Sequence, residues 1–178
     1  GAFVLGDSIR TASDTVYQQF CINPVKPTVS AKSAISFCVG DSVQLASSFK
    51  GSNQWYLNSI SILGAADSLL FAKQTGAFQA SYLFDGCKSV LSNAINITAN
   101  ALPTIPVISN NRPLSFAVGD STVLTSSSSL GNQWYLGGVL ITGATSQNLT
   151  VKIAGSYTLK VTNASGCSAT STAVVVTA

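Results

Sequence analysis

The sequence predicts an all-β chain made of two copies of one antiparallel sandwich, and two observations carry that expectation. The first is an internal repeat at a fixed offset of 79 residues. Asn53-Gln54-Trp55-Tyr56-Leu57 recurs as Asn132-Gln133-Trp134-Tyr135-Leu136, and Val39-Gly40-Asp41 as Val118-Gly119-Asp120. Gly64-Ala65, Gly76 and Thr98-Ala99 recur in the same frame as Gly143-Ala144, Gly155 and Thr177-Ala178. A repeated unit of about 75 to 80 residues is the size of a domain, not of a solenoid turn. The second observation is the strand-like patterning within each copy, where no stretch keeps an apolar helical period beyond a turn or two.

The elements are clearest in the second copy. Residues 122–125, 132–136, 139–141, 157–161 and 173–177 are short runs of β-branched and aromatic residues bounded by Gly, Ser and Asn, which reads as strands. Tyr157, Leu159 and Val161 alternate with Thr158, Lys160 and Thr162, the period of a half-buried strand. Gly137-Gly138 between two such runs predicts a two-residue type I′ hairpin, because both central positions need positive φ. The first copy has the weaker pair Asn58-Ser59 there. Asp85-Gly86 and Ser165-Gly166 mark a later hairpin just before Cys87 and Cys167.

The implied organisation is a lead-in over 1–26, a first domain over 27–100, a short linker over 101–105 and a second domain over 106–178. Pro103 and Pro106 make the linker semi-rigid, which predicts an extended tandem. Gly1 falls inside what looks like a module, so the chain reads as a piece of a longer protein. Hydrophobic residues make up 46%, enough for a core in each copy. A module of roughly 75 residues buries only about 60% of its unfolded surface, so each should need a staple.

Composition excludes several functions. Charged residues are only 8%, net charge is +3, and the nine basic side chains form no run. Nucleic-acid and anionic-membrane binding need clustered Lys and Arg, so neither is expected. No apolar run approaches the length of a membrane helix, and no spanning segment is expected. There is no His, Glu or Met.

Some seven short strands per module read as a β-sandwich. Gly40-Asp41-Ser42-Val43-Gln44-Leu45, then Gln54-Trp55-Tyr56, then Gly76-Ala77-Phe78 resemble strand B, the core Trp of strand C and the tyrosine corner of immunoglobulin-like domains. Gly119 to Leu124, Gln133-Trp134-Tyr135 and Gly155-Ser156-Tyr157 repeat the series. The fold class expected is therefore tandem immunoglobulin-like antiparallel β-sandwiches, with Trp55, Trp134, Phe78 and Tyr157 in the cores. The runs 134–136, 141–146, 155–163 and Gly166-Cys167 further resemble the Ig-like repeats of large secreted and surface proteins of the Bacteroidota, gliding adhesins among them. The likeness covers about 150 residues. Where antibody domains carry an inter-sheet cysteine pair, this chain has Ser47 with Ala80 and Ser126 with Leu159.

The resemblance implies a Cys38–Cys87 disulfide, since cysteines at those two places pair in such repeats; two buried free thiols are the alternative. In the second copy Ala117 replaces Cys38's counterpart, leaving Cys167 and Cys21 over. Each is expected to pair with a neighbouring module, cross-link another chain or stay free, and a free thiol is the first expectation for Cys167. A Cys21–Cys167 bond would span two modules. Gly1-Ala2-Phe3 echoes Gly76-Ala77-Phe78, so the lead-in is either an extra strand packed on the first module or an orphan strand pair that completes a neighbouring copy.

No catalytic constellation is legible. A nucleophilic triad needs a base, usually His, and the six Asp lie mostly in turns. Asp41 and Asp120 recur, which points to the turn before strand B rather than to chemistry. Calcium and zinc sites need ligand clusters the sequence lacks, and no cofactor is expected. Lys73 and Lys152 recur in polar surroundings, unlike the buried Lys of an autocatalytic crosslink. Tyr56 and Tyr135 alternate away from the core tryptophans and are the candidate surface contacts.

The expectation is a non-enzymatic structural or adhesive segment of a bacterial surface or secreted protein, located outside the cell. Its partners would be other modules of the same protein and a surface glycan or protein. The rivals are a carbohydrate-binding accessory module of a secreted enzyme and a filament subunit joined to like copies by strand exchange.

Overall fold

A computed structural model describes residues 21, 24–117 and 119–177. Residues 1–20, on which the echo of Gly1-Ala2-Phe3 and both readings of the lead-in rest, lie outside them. The chain forms two compact units that divide between Ala99 and Asn100, so residues 101–105 belong to the second unit.

In the first unit a three-stranded sheet has the order β1 (Val29–Ala31), β3 (Val43–Ser47), β6 (Leu69–Ala72). The larger sheet runs β2 (Ser36–Cys38), β9 (Ile95–Asn100), β7 (Gly76–Phe84), β4 (Asn53–Leu57), β5 (Ile60–Ser61), and β8 (Cys87–Lys88) also pairs with β7. The chain thus lays down strands A, A′, B, C, C′, E, F and G in the two-sheet pattern A-B-E against A′-G-F-C-C′. The fold is immunoglobulin-like.

Period-2 alternation sends one face of each sheet inward. Val43 and Leu45 of β3, Trp55 of β4, Phe78 and Ala80 of β7 and Ile97 of β9 meet in a single core. Trp55 is fully enclosed, and its indole N–H donates to the Asp67 carbonyl at 2.8 Å. A buried indole needs that partner, because an unsatisfied donor costs about 1–3 kcal/mol.

The second unit repeats the plan. One sheet runs β10 (Ile108–Asn110), β11 (Thr122–Ser126), β14 (Asn148–Val151). The other runs β13 (Val139–Leu140), β12 (Asn132–Leu136), β15 (Gly155–Thr162), β16 (Ser168–Thr170), with β17 (Val174–Val176) also on β15. A parallel bridge between Ser115 and Thr177 stands in for β2. Trp134 is fully enclosed and donates to the Ser146 carbonyl at 2.9 Å, the counterpart of Asp67. Phe78 and Tyr157 are both buried. Tyr157 Oη donates to the Ile153 carbonyl at 2.8 Å, a tyrosine corner that Phe78 cannot make.

The C–C′ hairpin has the same shape in both units. Gly137 and Gly138 have φ of 57° and 80°, and Leu136 pairs Val139 across them. Asn58 and Ser59 take φ of 49° and 68° without being glycine, a strain on Ser59 that its counterpart Gly138 avoids.

The disulfide pattern corrects the sequence reading. Cys87 is bonded to Cys21, with Cα atoms 5.3 Å apart and a sequence separation of 66. No cysteine is free: Cys38 and Cys167 are disulfide-bonded too. Cys38 is not the partner of Cys87, because the topology sets them at opposite ends of the sheet. Cys87 faces Phe84 at the last residue of β7, whereas Ile35, three residues before Cys38, accepts from Thr98 N–H beside the start of β7. Nine residues of strand separate those levels, about 26 Å at the usual rise. A disulfide needs Cα atoms within about 7 Å.

Candidate functional site

Most of the repeated motif serves the fold. Asn53 Nδ2 donates to the Phe49 carbonyl at 2.9 Å while its Oδ1 accepts from Ser47 Oγ at 2.7 Å. Asn132 does the same with Ser128 and Ser126. Ser47 and Ser126 therefore hold the turn into strand C where antibody domains would use a cysteine. Gln54 Nε2 clamps the hairpin by donating to the carbonyls of Trp55 and Ile62, and Gln133 repeats this with Trp134 and Ile141. Among the described residues every buried side-chain nitrogen and oxygen has a partner.

The two candidate contact tyrosines lie on the outer face of the larger sheets, and they differ. Tyr56 pairs Gln79 on β7 and is only 7% exposed, so it is not the open platform the alternation suggested. The Lys88 ammonium lies 4.7 Å from its ring centre, and its hydroxyl is 3.3 Å from Ser81 Oγ. Burial by itself raises the phenol's pKa, but the hydrogen bonds from Lys88 and Ser81 and the Lys88 charge outweigh it, and the net shift is downward. Such a cation over an aromatic face is stabilised by the ring quadrupole. Tyr135 is half-buried, and Lys160 takes the place of Ser81 opposite Gln133.

Asp41 and Asp120 are exposed and close the turn before strand B through their backbone N–H groups, which donate to the carbonyls of Cys38 and Ala117 at 3.0 Å. Lys73 and Lys152 are exposed, unlike a crosslinking lysine, which must be buried beside an acid. Among the described residues no three of His, Cys, Asp and Glu gather where a metal could bind. No helix there is long and apolar enough to cross a membrane.

Sequence reasoning overlooked the apolar surface that belongs to the first unit alone. On β6, Leu69 and Phe71 point outward, 45% and 56% exposed, across from Ala46 and Gln44. On the other sheet, at the end of β7, Leu83 and Phe84 are also exposed. At the 79-residue offset the second unit has Asn148, Thr150, Thr162 and Asn163. Lining up the copies position by position would have exposed the contrast. Tyr82 packs between Phe49 and Phe84, stacked on Phe49 with ring centres 3.9 Å apart.

No protein-family model matches the chain, and no curated protein does either. Among solved structures it is similar to the human OSCAR ligand-binding domain, at 16% identity over 86% of this chain and 100% of that one, with a TM-score of 0.35. A superposition that loose contributes nothing to the reading of either unit. The strand order and the shared cores define the fold without it. Disulfides persist in oxidising surroundings, and an Ig-like sandwich carrying them is the kind of module found outside the cytosol.

Proposed function

We propose that the chain is a structural and adhesive segment of a cell-surface or secreted protein, a tandem of Ig-like modules that supplies length and offers a contact surface. The observation that supports this best is the division of labour between the copies. What is repeated, from Asn53 to Leu57 and from Asn132 to Leu136, is taken up by turns, hairpin clamps and cores. What differs is exposed: Leu69 and Phe71 against Asn148 and Thr150. The fold does not require the apolar pair, since the second unit forms the same strand without it.

The resemblance to Bacteroidota surface repeats favours a bacterial surface protein. The accessory-module alternative is weakened because Tyr56 lies under Lys88 instead of forming a stacking platform. Strand exchange rests on residues 1–26, most of which lie outside the described residues.

An antibody raised against the chain should label unpermeabilised cells of the source organism, or detect the protein in their medium. Signal confined to permeabilised cells would overturn the surface reading. Beads coated with the chain should bind a lawn of those cells better than beads carrying Leu69→Asn with Phe71→Thr, at equal thermal stability. Equal binding would remove β6 as the contact surface.

A further inference from the structure

We propose that β6 of the first unit is a self-docking edge, on which a second copy of the chain adds its own β6 antiparallel, about a two-fold axis through Leu70. The proposal rests on the reading of β6 as the contact surface and names its partner.

The register of β6 on β3 leaves one side of the strand open. Ser47 N–H donates to the Ser68 carbonyl at 2.7 Å, so Ser68, Leu70 and Ala72 turn their backbone groups towards β3. Bonding direction alternates along an antiparallel strand, so Leu69 and Phe71 aim their N–H and C=O groups the other way. Among the described residues no strand lies on that side. Open edges are ordinarily protected by charge, proline or a bulge. The run Leu69-Leu70-Phe71-Ala72 has none of the three.

Charge decides what fits. Asp67 lies three residues before Leu70 and Lys73 three residues after it, and both are exposed. Antiparallel pairing centred on Leu70 therefore sets Asp67 of each copy opposite Lys73 of the other, and Leu69 opposite Phe71. Leu69 and Phe71 then make bonded pairs that exchange N–H and C=O in both directions. Their exposed side chains cover one another across the seam. A slip of two residues sets Asp67 against Phe71 or Lys73 against Leu69, and a slip of one puts the bonding groups out of phase. Parallel pairing in register brings acid to acid and ammonium to ammonium. The interface is self-complementary and closes at two copies, joining their three-stranded sheets into one. The second unit lacks this device. At the 79-residue offset its edge carries Ser146, Asn148, Thr150 and Lys152, with no acid to meet the lysine.

Sedimentation equilibrium of the purified chain gives the test. The unmutated chain should dimerise reversibly. Asp67→Lys and Lys73→Asp should each dimerise about tenfold more weakly, because each sets like charges opposite one another on both sides of the axis. Mixed in equal amounts, the two variants should recover the lost affinity, since every facing pair is again of opposite sign. A chain that stays monomeric up to about 1 mM would overturn the proposal. Single variants that dimerise as well as the parent would do the same, as would a mixture no tighter than its components. Should either variant fail to fold, the combined change Asp67→Ser, Leu69→Asn, Phe71→Thr decides, because it copies the edge of the second unit. It should be monomeric, and dimers as tight as the parent's would overturn the proposal. The assay on cells is independent of this one. A monomeric chain whose coated beads still depend on β6 removes the self-partner and leaves the adhesive reading standing.

Discussion

Asn132 and Ser126 share a side-chain hydrogen bond of 2.7 Å, and Asn53 and Ser47 share its twin at the same length. Each asparagine sits at the first position of strand C, just before the glutamine and the enclosed tryptophan, and ties the loop from strand B to the core. Asn132→Ala leaves Ser126 Oγ without its acceptor in a buried place and frees the Ser128 carbonyl. We expect a loss of about 1–3 kcal/mol, measured by chemical denaturation of the chain and assigned to the second unit through Trp134 fluorescence in a Trp55→Phe background.

Tyr157→Phe removes the corner bond to Ile153 and should cost about 0.5–1.5 kcal/mol near neutral pH. It should also alter the response to alkali. Burial holds the Tyr157 phenol above its ordinary value of 10.0, so the unfolded chain loses this proton first. The associated stability is complete below pH 10 and is lost as pH rises through the folded-state value. Denaturation curves above pH 10 should fall less steeply for Tyr157→Phe than for the unmutated chain.

The strained C–C′ turn offers a reciprocal test. Ser59→Gly relieves a side chain held at positive φ and should stabilise the first unit by about 0.5–1 kcal/mol, while Gly138→Ser should cost the second unit about 1 kcal/mol. Melting of the two variants side by side checks the signs. Equal effects of one sign would contradict the shared type I′ geometry.

Lys88→Ala should release the phenol of Tyr56. With the ammonium gone, burial is opposed only by the Ser81 hydrogen bond, and its ionisation should move upward. Ultraviolet titration of the phenolate, compared with a Tyr56→Phe control, follows the shift.

Much of the architecture could be read from the residues because it depends on local alternation and turn chemistry. Trp55 and Trp134 turn inward for the same reason that Tyr56 and Tyr135 turn outward, and Gly137-Gly138 dictates its hairpin by backbone freedom. The errors came where distant segments meet. The alternation placed Tyr56 on the outer face, but its cover depends on Lys88, which is set by the register of β8 on β7 across the Asp85-Gly86 turn. The disulfide was misread because Cys38 and Cys87 are both close to strand ends, and linear sequence does not say that those ends lie at opposite poles. Cys21 lies ahead of the repeat, so no comparison of the two copies could nominate it. The duties of Asn53 and Gln54 depend on loop carbonyls whose positions follow from the packed fold.

The F–G hairpins show how this module absorbs a change in length. In the first unit a two-residue turn joins Phe84 to Cys87, and two residues, Val90 and Leu91, then stand opposite the single Ser81 between the Tyr82–Ser89 and Ala80–Ser92 contacts. In the second unit the turn has three residues between Asn163 and Cys167, and the pairing runs on to Leu159 and Ser171 without a bulge. The extra residue in one place is cancelled by the missing one in the other, so Ser92 and Ser171 regain the common frame and both accept from the facing strand's N–H at 3.0 Å. Cysteine consequently keeps its seat opposite the end of strand F even though its number drifts by one. Relatives of this module are best aligned there by strand partners, because counting residues from the tryptophan would set the thiol one step out of place.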